Sequence, residues 1–201
     1  MSALGPLTVI KVGGGLSATP GALEAVCAAL GAAGRWHRLL VVPGGGPFAD
    51  AVREFDRRQP LSPDAAHWMA MLAMDQYAHV LADRIPGAVM VEEAGAVNGV
   101  LGEAGIAVLL PSRWLRAADV LPHSWDVTSD SIAAFVAGAL DAARLVLLKP
   151  TSSPAPDLVD PWFASALPAG LPWMVLGWER IGELEGVLGE RRSGGRQDES
   201  P

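Results

Sequence analysis

Lysine is rare in this chain. The only two, Lys11 and Lys149, stand among thirteen arginines, and each falls at the end of an apolar run, in IKVGGG and LVLLKPT. Charge is seldom spent inside buried strands, so an ammonium at each of these points implies an anion for it to meet. A compact ammonium can follow a migrating phosphoryl group as a point charge, which a planar guanidinium does less well. A lysine leaning out of a sheet edge is the plain structural alternative.

Two glycine runs lie in the same kind of place: Gly13-Gly14-Gly15 after the first apolar run and Gly44-Gly45-Gly46 after the second. Without side chains, backbone N–H groups can approach an anion closely, and a following helix N-terminus adds favourable potential. A single such run reads equally well as a tight strand-to-helix turn, but two on successive strands favour a phosphate or other anion site. Neither is followed by Gly-Lys-Ser/Thr, and neither fits GxGxxG with a downstream ribose-binding acid. A dinucleotide-dependent oxidoreductase is therefore disfavoured.

The third element is Asp126-Val127-Thr128-Ser129-Asp130-Ser131, ahead of an apolar helical run. Thr128 or Ser129 suits an N-cap, with Asp130 in the first turn, and capping alone would explain the segment. The functional reading is that one carboxylate orients the two lysines while the other, with Thr128 and Ser129, binds substrate. Phosphoryl transfer asks for positioned cations and in-line geometry more than for covalent chemistry.

Other polar residues are less directive. His67, Asp75 and His79 share a helical face with Met71, but His67 and Asp75 lie about 12 Å apart along it, too far for all three to hold one ion. Polar helix contacts or a subunit interface are the favoured reading, and no metal ligand set is assigned. His123 and Trp125 are expected to line an acceptor pocket. An aromatic acceptor could stack on Trp125 or Trp68, with core packing as the ordinary alternative. Arg113 reads equally as a partner for an acceptor phosphate and as a surface arginine.

The elements that must position these residues follow from pattern. Short buried strands are predicted at residues 7–12, 38–42, 88–91, 106–110, 144–148 and 173–176. Helices are predicted at 20–33, 47–58, 62–84, 129–142 and 179–188, the long one opened by Ser62-Pro63-Asp64. Strands alternating with helices imply an α/β fold with a largely parallel sheet covered on both faces. With 201 residues, 50% hydrophobic and 18% charged, one domain over 1–189 is expected, with a disordered polar tail at 190–201. A net charge of −7 argues against nucleic acid as a partner. The single cysteine, Cys27, excludes an intrachain disulfide. No apolar run is long enough for a membrane span and no basic leader precedes the first strand, so a cytoplasmic protein is expected.

With IKVGGGL, VVPGGGPF, DVTSDSIAA and LLKPT in this order, the chain resembles the amino acid kinase family from about Leu7 to Thr151, and more weakly to Gly189. The resemblance implies a three-layer αβα sandwich around a mainly parallel sheet, in a homo-oligomeric, ATP- and Mg²⁺-dependent kinase for a small molecule. It places Lys11, Gly13 and Gly14 at the transferred phosphoryl group and Gly44, Gly45 and Gly46 at the acceptor. Asp130 becomes the organising aspartate, and Lys149 with Thr151 opens the nucleotide half. The acceptor half would span about 1–143 and the nucleotide half about 144–189. Many relatives carry a further lysine downstream, whose charge an arginine or Mg²⁺ would supply here.

Within the family, AHWMAMLAMDQYAHVLAD and LPHSWDVTSDSIAAFVAG look most like small kinases that use ATP to turn [5-(aminomethyl)furan-3-yl]methyl phosphate into its diphosphate in methanofuran-type cofactor biosynthesis. The alternative function is a non-catalytic protein of the same fold that binds or stores nucleotide or oxyanion, as molybdate-storage relatives do.

Overall fold

The computed structural model describes residues 5–103, 105–151 and 158–189. Its centre is a six-stranded sheet in the order β3-β4-β2-β1-β5-β6. The strands are β1 (Thr8–Val12), β2 (Leu39–Pro43), β3 (Val89–Val91), β4 (Ile106–Leu109), β5 (Arg144–Lys149) and β6 (Trp173–Gly177), and all pair in parallel. Parallel strands need crossovers, which these helices provide: α1 (Ala22–Ala33), α2 (Gly46–Arg58), α3 (Pro63–Arg84), α4 (Ala94–Glu103), α5 (Pro111–Ala118), α6 (Ser129–Ala139) and α7 (Phe163–Ala166), with α8 (Leu184–Gly189) following the last strand.

The two faces of the sheet are built from alternate residues of the same strands. Val9, Leu40, Val42, Leu145 and Leu147 join one core with Ile132, Val136 and Phe163 from α6 and α7. Ile10, Val12, Val41, Val146 and Leu148 join the other with Val26 and Leu30 of α1 and Leu184 of α8. With both faces covered, the central strands read as continuous apolar runs rather than alternating ones. This is the expected three-layer αβα sandwich. Among the described residues no helix is long and apolar enough to cross a membrane.

Several boundaries and elements depart from expectation. The helix expected over 129–142 stops at Ala139, and Asp141 turns the chain at φ +49°. The helix expected over 179–188 is a 3₁₀ segment, Trp178–Glu183, followed by α8. Helices α4, α5 and α7 were not anticipated. Helix α4 carries Gly95, Gly99 and Gly102, which lower its intrinsic helix preference. The polar tail at 190–201 lies outside the described residues.

What the fold does for the site is set by β1, which lies between β2 and β5, with Val12 opposite both Pro43 and Leu148. The loops leaving these three strands therefore meet at one end of the sheet, where the strand order reverses and open α/β sheets collect ligands. Gly13 N–H donates to Leu148 O (2.9 Å) and Gly44 N–H to Val12 O (2.8 Å), tying the loops to the strand ends. A Cβ on Gly14 would lie 2.4 Å from Gly46 N, so the two glycine loops touch backbone to backbone. Gly46 itself sits at φ +55° against the Tyr77 ring. Gly14→Ala is expected to destabilise the fold by about 1–3 kcal/mol through overpacking. Gly99→Ala, in an exposed helical position with open space around it, should be neutral or stabilise by up to about 1 kcal/mol. Urea unfolding of both variants checks the contrast.

Candidate functional site

Lys11 is the penultimate residue of β1 and Lys149 the last of β5, so the parallel pairing of these strands brings both to the same end of the sheet. Between them stands Asp130 in the first turn of α6. Its Oδ1 lies 3.0 Å from Lys11 Nζ and its Oδ2 2.6 Å from Lys149 Nζ. Lys11 is 5% exposed and Asp130 3%. The Lys149 contact is an aligned hydrogen bond, whereas the Lys11 contact is an ion pair without hydrogen-bond alignment at Oδ1.

Burial dominates the titration of Lys11 and, with repulsion from Lys149, holds its ammonium below the usual lysine range in spite of the Asp130 charge. Burial works to raise the Asp130 carboxyl as well, but the two ammonium groups outweigh it and keep Asp130 below the ordinary carboxylate range.

The start of α6 differs from the sequence reading. Thr128 is the N-cap residue, but its side chain makes no capping bond. The capping carboxylate comes from Asp160, beyond β5. It accepts from Thr128 N–H (3.0 Å), Thr128 Oγ1 (2.7 Å) and Ser131 N–H (3.0 Å), and from the Ser131 hydroxyl. Sequence reasoning missed Asp160, and no short-range pattern announces it.

Beside this cluster a cleft of about 180 Å³ opens between the glycine loops, α2, α3 and the start of α6. Gly14, Gly45, Gly46, Thr128 and Ser129 line it, together with Trp125. Asp126 is exposed and does not line the cleft. Thr151 is exposed just beyond Lys149. Trp125 donates its indole N–H to Asp56 (2.9 Å) and carries the Arg53 guanidinium 4.8 Å from its ring centroid. Arg53, with Asp50 at 3.3 Å, adds a cation and an anion to the same wall; neither was singled out from the sequence.

The histidines take other roles. His123 bridges Asp64 (2.6 Å) and Asp119 (2.9 Å), and the Asp64 hydrogen bond leads in raising its pKa. His67 stacks on His123 with ring centroids 4.1 Å apart, and burial, then the neighbouring imidazole, push it down to about 4. Both rings border a second hollow next to the cleft, with Trp125 between the two. Asp75 accepts from Ser112 N–H (3.1 Å) and the Ser112 hydroxyl at the start of α5, away from His67. Arg113 is exposed and paired with Glu92 (2.9 Å) and Glu93 (2.8 Å), so it takes the surface role. Among the described residues no group of three acidic, histidine or cysteine side chains is arranged to hold a metal ion.

Glycine loops and two ammonium groups thus meet at the strand ends of an open parallel αβα sandwich. The chain belongs to the amino acid kinase family, whose model matches residues 6–152. It is 31% identical over 110 residues to [5-(aminomethyl)furan-3-yl]methyl phosphate kinase of Methanocaldococcus jannaschii, a match covering 55% of this chain and half the length of that relative. Solved structures share the fold at low identity. Aspartate kinase from Synechocystis aligns with a TM-score of 0.70 at 14% identity, over 86% of this chain and 38% of its own. UMP kinase from Ureaplasma parvum gives 0.63 at 11%, over 89% and 94%. Uridylate kinase from Archaeoglobus fulgidus gives 0.58 at 16%, over 77% and 69%.

Removing the shared carboxylate should be costly. Asp130→Asn leaves a buried and a half-buried ammonium group facing each other, and an expected loss of about 3–5 kcal/mol at neutral pH is readable from the urea midpoint. Because the folded pKa of Asp130 lies below 3.8, its contribution is present above that value and disappears as pH falls through the folded pKa. Lys11 gives a slope of the same sign at higher pH, because burial lowers its folded pKa as well. Between its lowered folded pKa and 10.5 the unfolded chain binds more protons, so wild-type stability rises with pH in that window.

Proposed function

We propose that the chain is an ATP-dependent kinase for a small molecule that already bears a phosphate, with [5-(aminomethyl)furan-3-yl]methyl phosphate as the favoured acceptor. The observation that carries the reading is the Lys11–Asp130–Lys149 cluster at the mouth of two touching glycine loops. Two cations sharing one carboxylate leave a net positive charge for a phosphoryl group, which is where this reaction needs stabilisation.

In this reading residues 1–143 hold the acceptor and 144–189 the nucleotide. A phosphate oxygen of the acceptor attacks the γ-phosphorus of ATP, the bond to the β,γ-bridging oxygen breaks, and ADP leaves as the acceptor diphosphate forms. Lys11 meets the transferred group and Lys149 its nucleotide side, while Gly13 and Gly14 allow backbone approach to the phosphates. Asp130 touches both lysines and keeps them placed and charged. With its carboxylate engaged twice, Asp130 is a poor ligand for Mg²⁺, so the ion is assigned to the nucleotide phosphates, whose charge it would help neutralise.

Acceptor choice is supported by the cleft wall. Gly45, Gly46, Thr128, Ser129 and Arg53 suit an anionic end, Trp125 offers a face to a flat ring, and Asp50 offers a carboxylate to an ammonium, while Gly44 packs against the Val12 and Gly14 backbone beneath them. The match to the methanococcal furan phosphate kinase points to the same acceptor.

ADP release from the purified protein, with the furan phosphate, UMP, isopentenyl phosphate and acetylglutamate as separate acceptors, tests the proposal. Turnover is expected with the furan phosphate. Lys11→Ala should lower kcat by about 10²–10³-fold while the fold is kept. Trp125→Ala should raise KM for the acceptor by about 3–10-fold with a smaller change in kcat. Tight nucleotide or oxyanion binding without turnover on any acceptor would replace the kinase reading with a binding or storage protein of the same fold.

A further inference from the structure

Asp160 has no part in the proposed transfer, yet its four hydrogen bonds to described residues all converge on the turn that carries Asp130. Thr128 and Ser131 bracket Asp130 in sequence, and each gives Asp160 both its backbone N–H and its hydroxyl. The helix has no side-chain cap of its own. A second tie lies alongside, from Trp162 N–H to Asp126 O at 3.3 Å. The buried Phe163 ring then anchors this stretch in the core beneath α6. Asp160 follows β5 in the chain and so belongs to the Lys149 side of the sheet, while α6 contributes to the cleft side.

We propose that Asp160 is a positioning residue for the lysine–aspartate–lysine cluster, fixing the first turn of α6 in the rotation at which the two oxygens of Asp130 reach different lysines.

Three considerations carry this. A carboxylate at a helix N-terminus is favoured by the exposed N–H groups and the helix dipole, and Asp160 occupies that place on α6. Two donors on either side of Asp130 restrain the turn about the helix axis, and a small rotation would take Oδ1 or Oδ2 out of reach of Lys11 or Lys149. The Asp160 charge also opposes the burial that drives the Lys11 ammonium toward its neutral form. The charged groups acting on Lys11 are Asp130 from α6, Lys149 from β5 and Asp160.

The scarcity of lysine makes the test direct, because isotope-labelled lysine gives side-chain signals from Lys11 and Lys149 alone, and Lys149→Arg assigns them. Asp160→Asn keeps the size but removes the charge and presents an amide to backbone donors that cannot accept from it. The Lys11 titration midpoint is expected to fall in this variant, with no substrate needed for the measurement. The inference rests on the kinase reading for its kinetic arm only. There kcat should fall about 10-fold or more with KM for ATP within about 3-fold, and the alkaline limb of the kcat profile should move to lower pH.

A Lys11 midpoint and a kcat per folded molecule equal to wild type, with only the thermal midpoint lowered, would reduce Asp160 to a helix cap and overturn the proposal. If Asp160→Asn does not fold, Ser131→Ala removes one donor and keeps the charge. A kcat drop of about 3-fold or more then supports the proposal, and an unchanged kcat overturns it. Absence of turnover in the wild-type protein would remove the kinase reading and leave the lysine titration to decide this inference.

Discussion

One carboxylate shared by two ammonium groups is the constraint around which the rest is arranged. Lys11 and Lys149 end strands that run side by side, so the sheet forces like charges together where little water reaches them. Desolvation and mutual repulsion would both favour neutral amines. Asp130 offsets this by giving one oxygen to each lysine, which is possible only because α6 begins opposite the ends of β1 and β5. The position of a single helix start therefore decides whether one carboxylate can serve both lysines.

The same constraint explains why the glycine loops must be glycine. The lysines leave the sheet at the point where the backbones after β1 and β2 also have to pass one another, and Gly14 and Gly46 are already closer than a Cβ would allow. A side chain there would push the loops apart and move the ends of β1 and β2, and with them Lys11. Phosphate binding and strand-end packing thus make the same demand, and the glycines alone do not say which was selected. The ammonium pair is the feature that strand-end packing leaves unexplained, because tight turns need no cations.

Much of this was legible in the sequence, for reasons of range. Strands β1, β2 and β5 show as short apolar runs, and the lysines and glycines stand at their ends in the chain itself. The start of α6 was legible too, since Thr128-Ser129-Asp130 has the composition of a cap. The group that caps it was not. Asp160 lies 29 to 32 residues from its partners, and Asp75, which serves α5 through Ser112, lies 37 away. Helices α5 and α6 are thus capped by aspartates from elsewhere in the chain, and no local pattern carries that information. The pairing of Trp125 with Arg53 and Asp56 was hidden for the same reason, as was the stacking of His67 on His123.

The charge balance at the strand ends follows from these placements and contrasts with that of the chain. The protein carries −7 overall, yet Lys11, Lys149 and Asp130 together leave a net positive charge. Asp160 adds a negative charge nearby, but it sits on the N-terminal turn of α6, whose exposed N–H groups and dipole partly neutralise it. Over a screening length of about 8 Å at physiological salt, the acidic surface contributes little to what an anion meets in this cleft. In the proposed reading, attraction comes from the loop N–H groups lining the cleft and the two cations beside it rather than from long-range steering. Such an arrangement favours groups whose charge is concentrated at one end, as in a phosphate ester, over extended polyanions, which would meet the acidic surface as well. The acidic composition that disfavoured nucleic acid as a partner is therefore compatible with a phosphate site, because the cations that matter are few, held in place and set back from the surface.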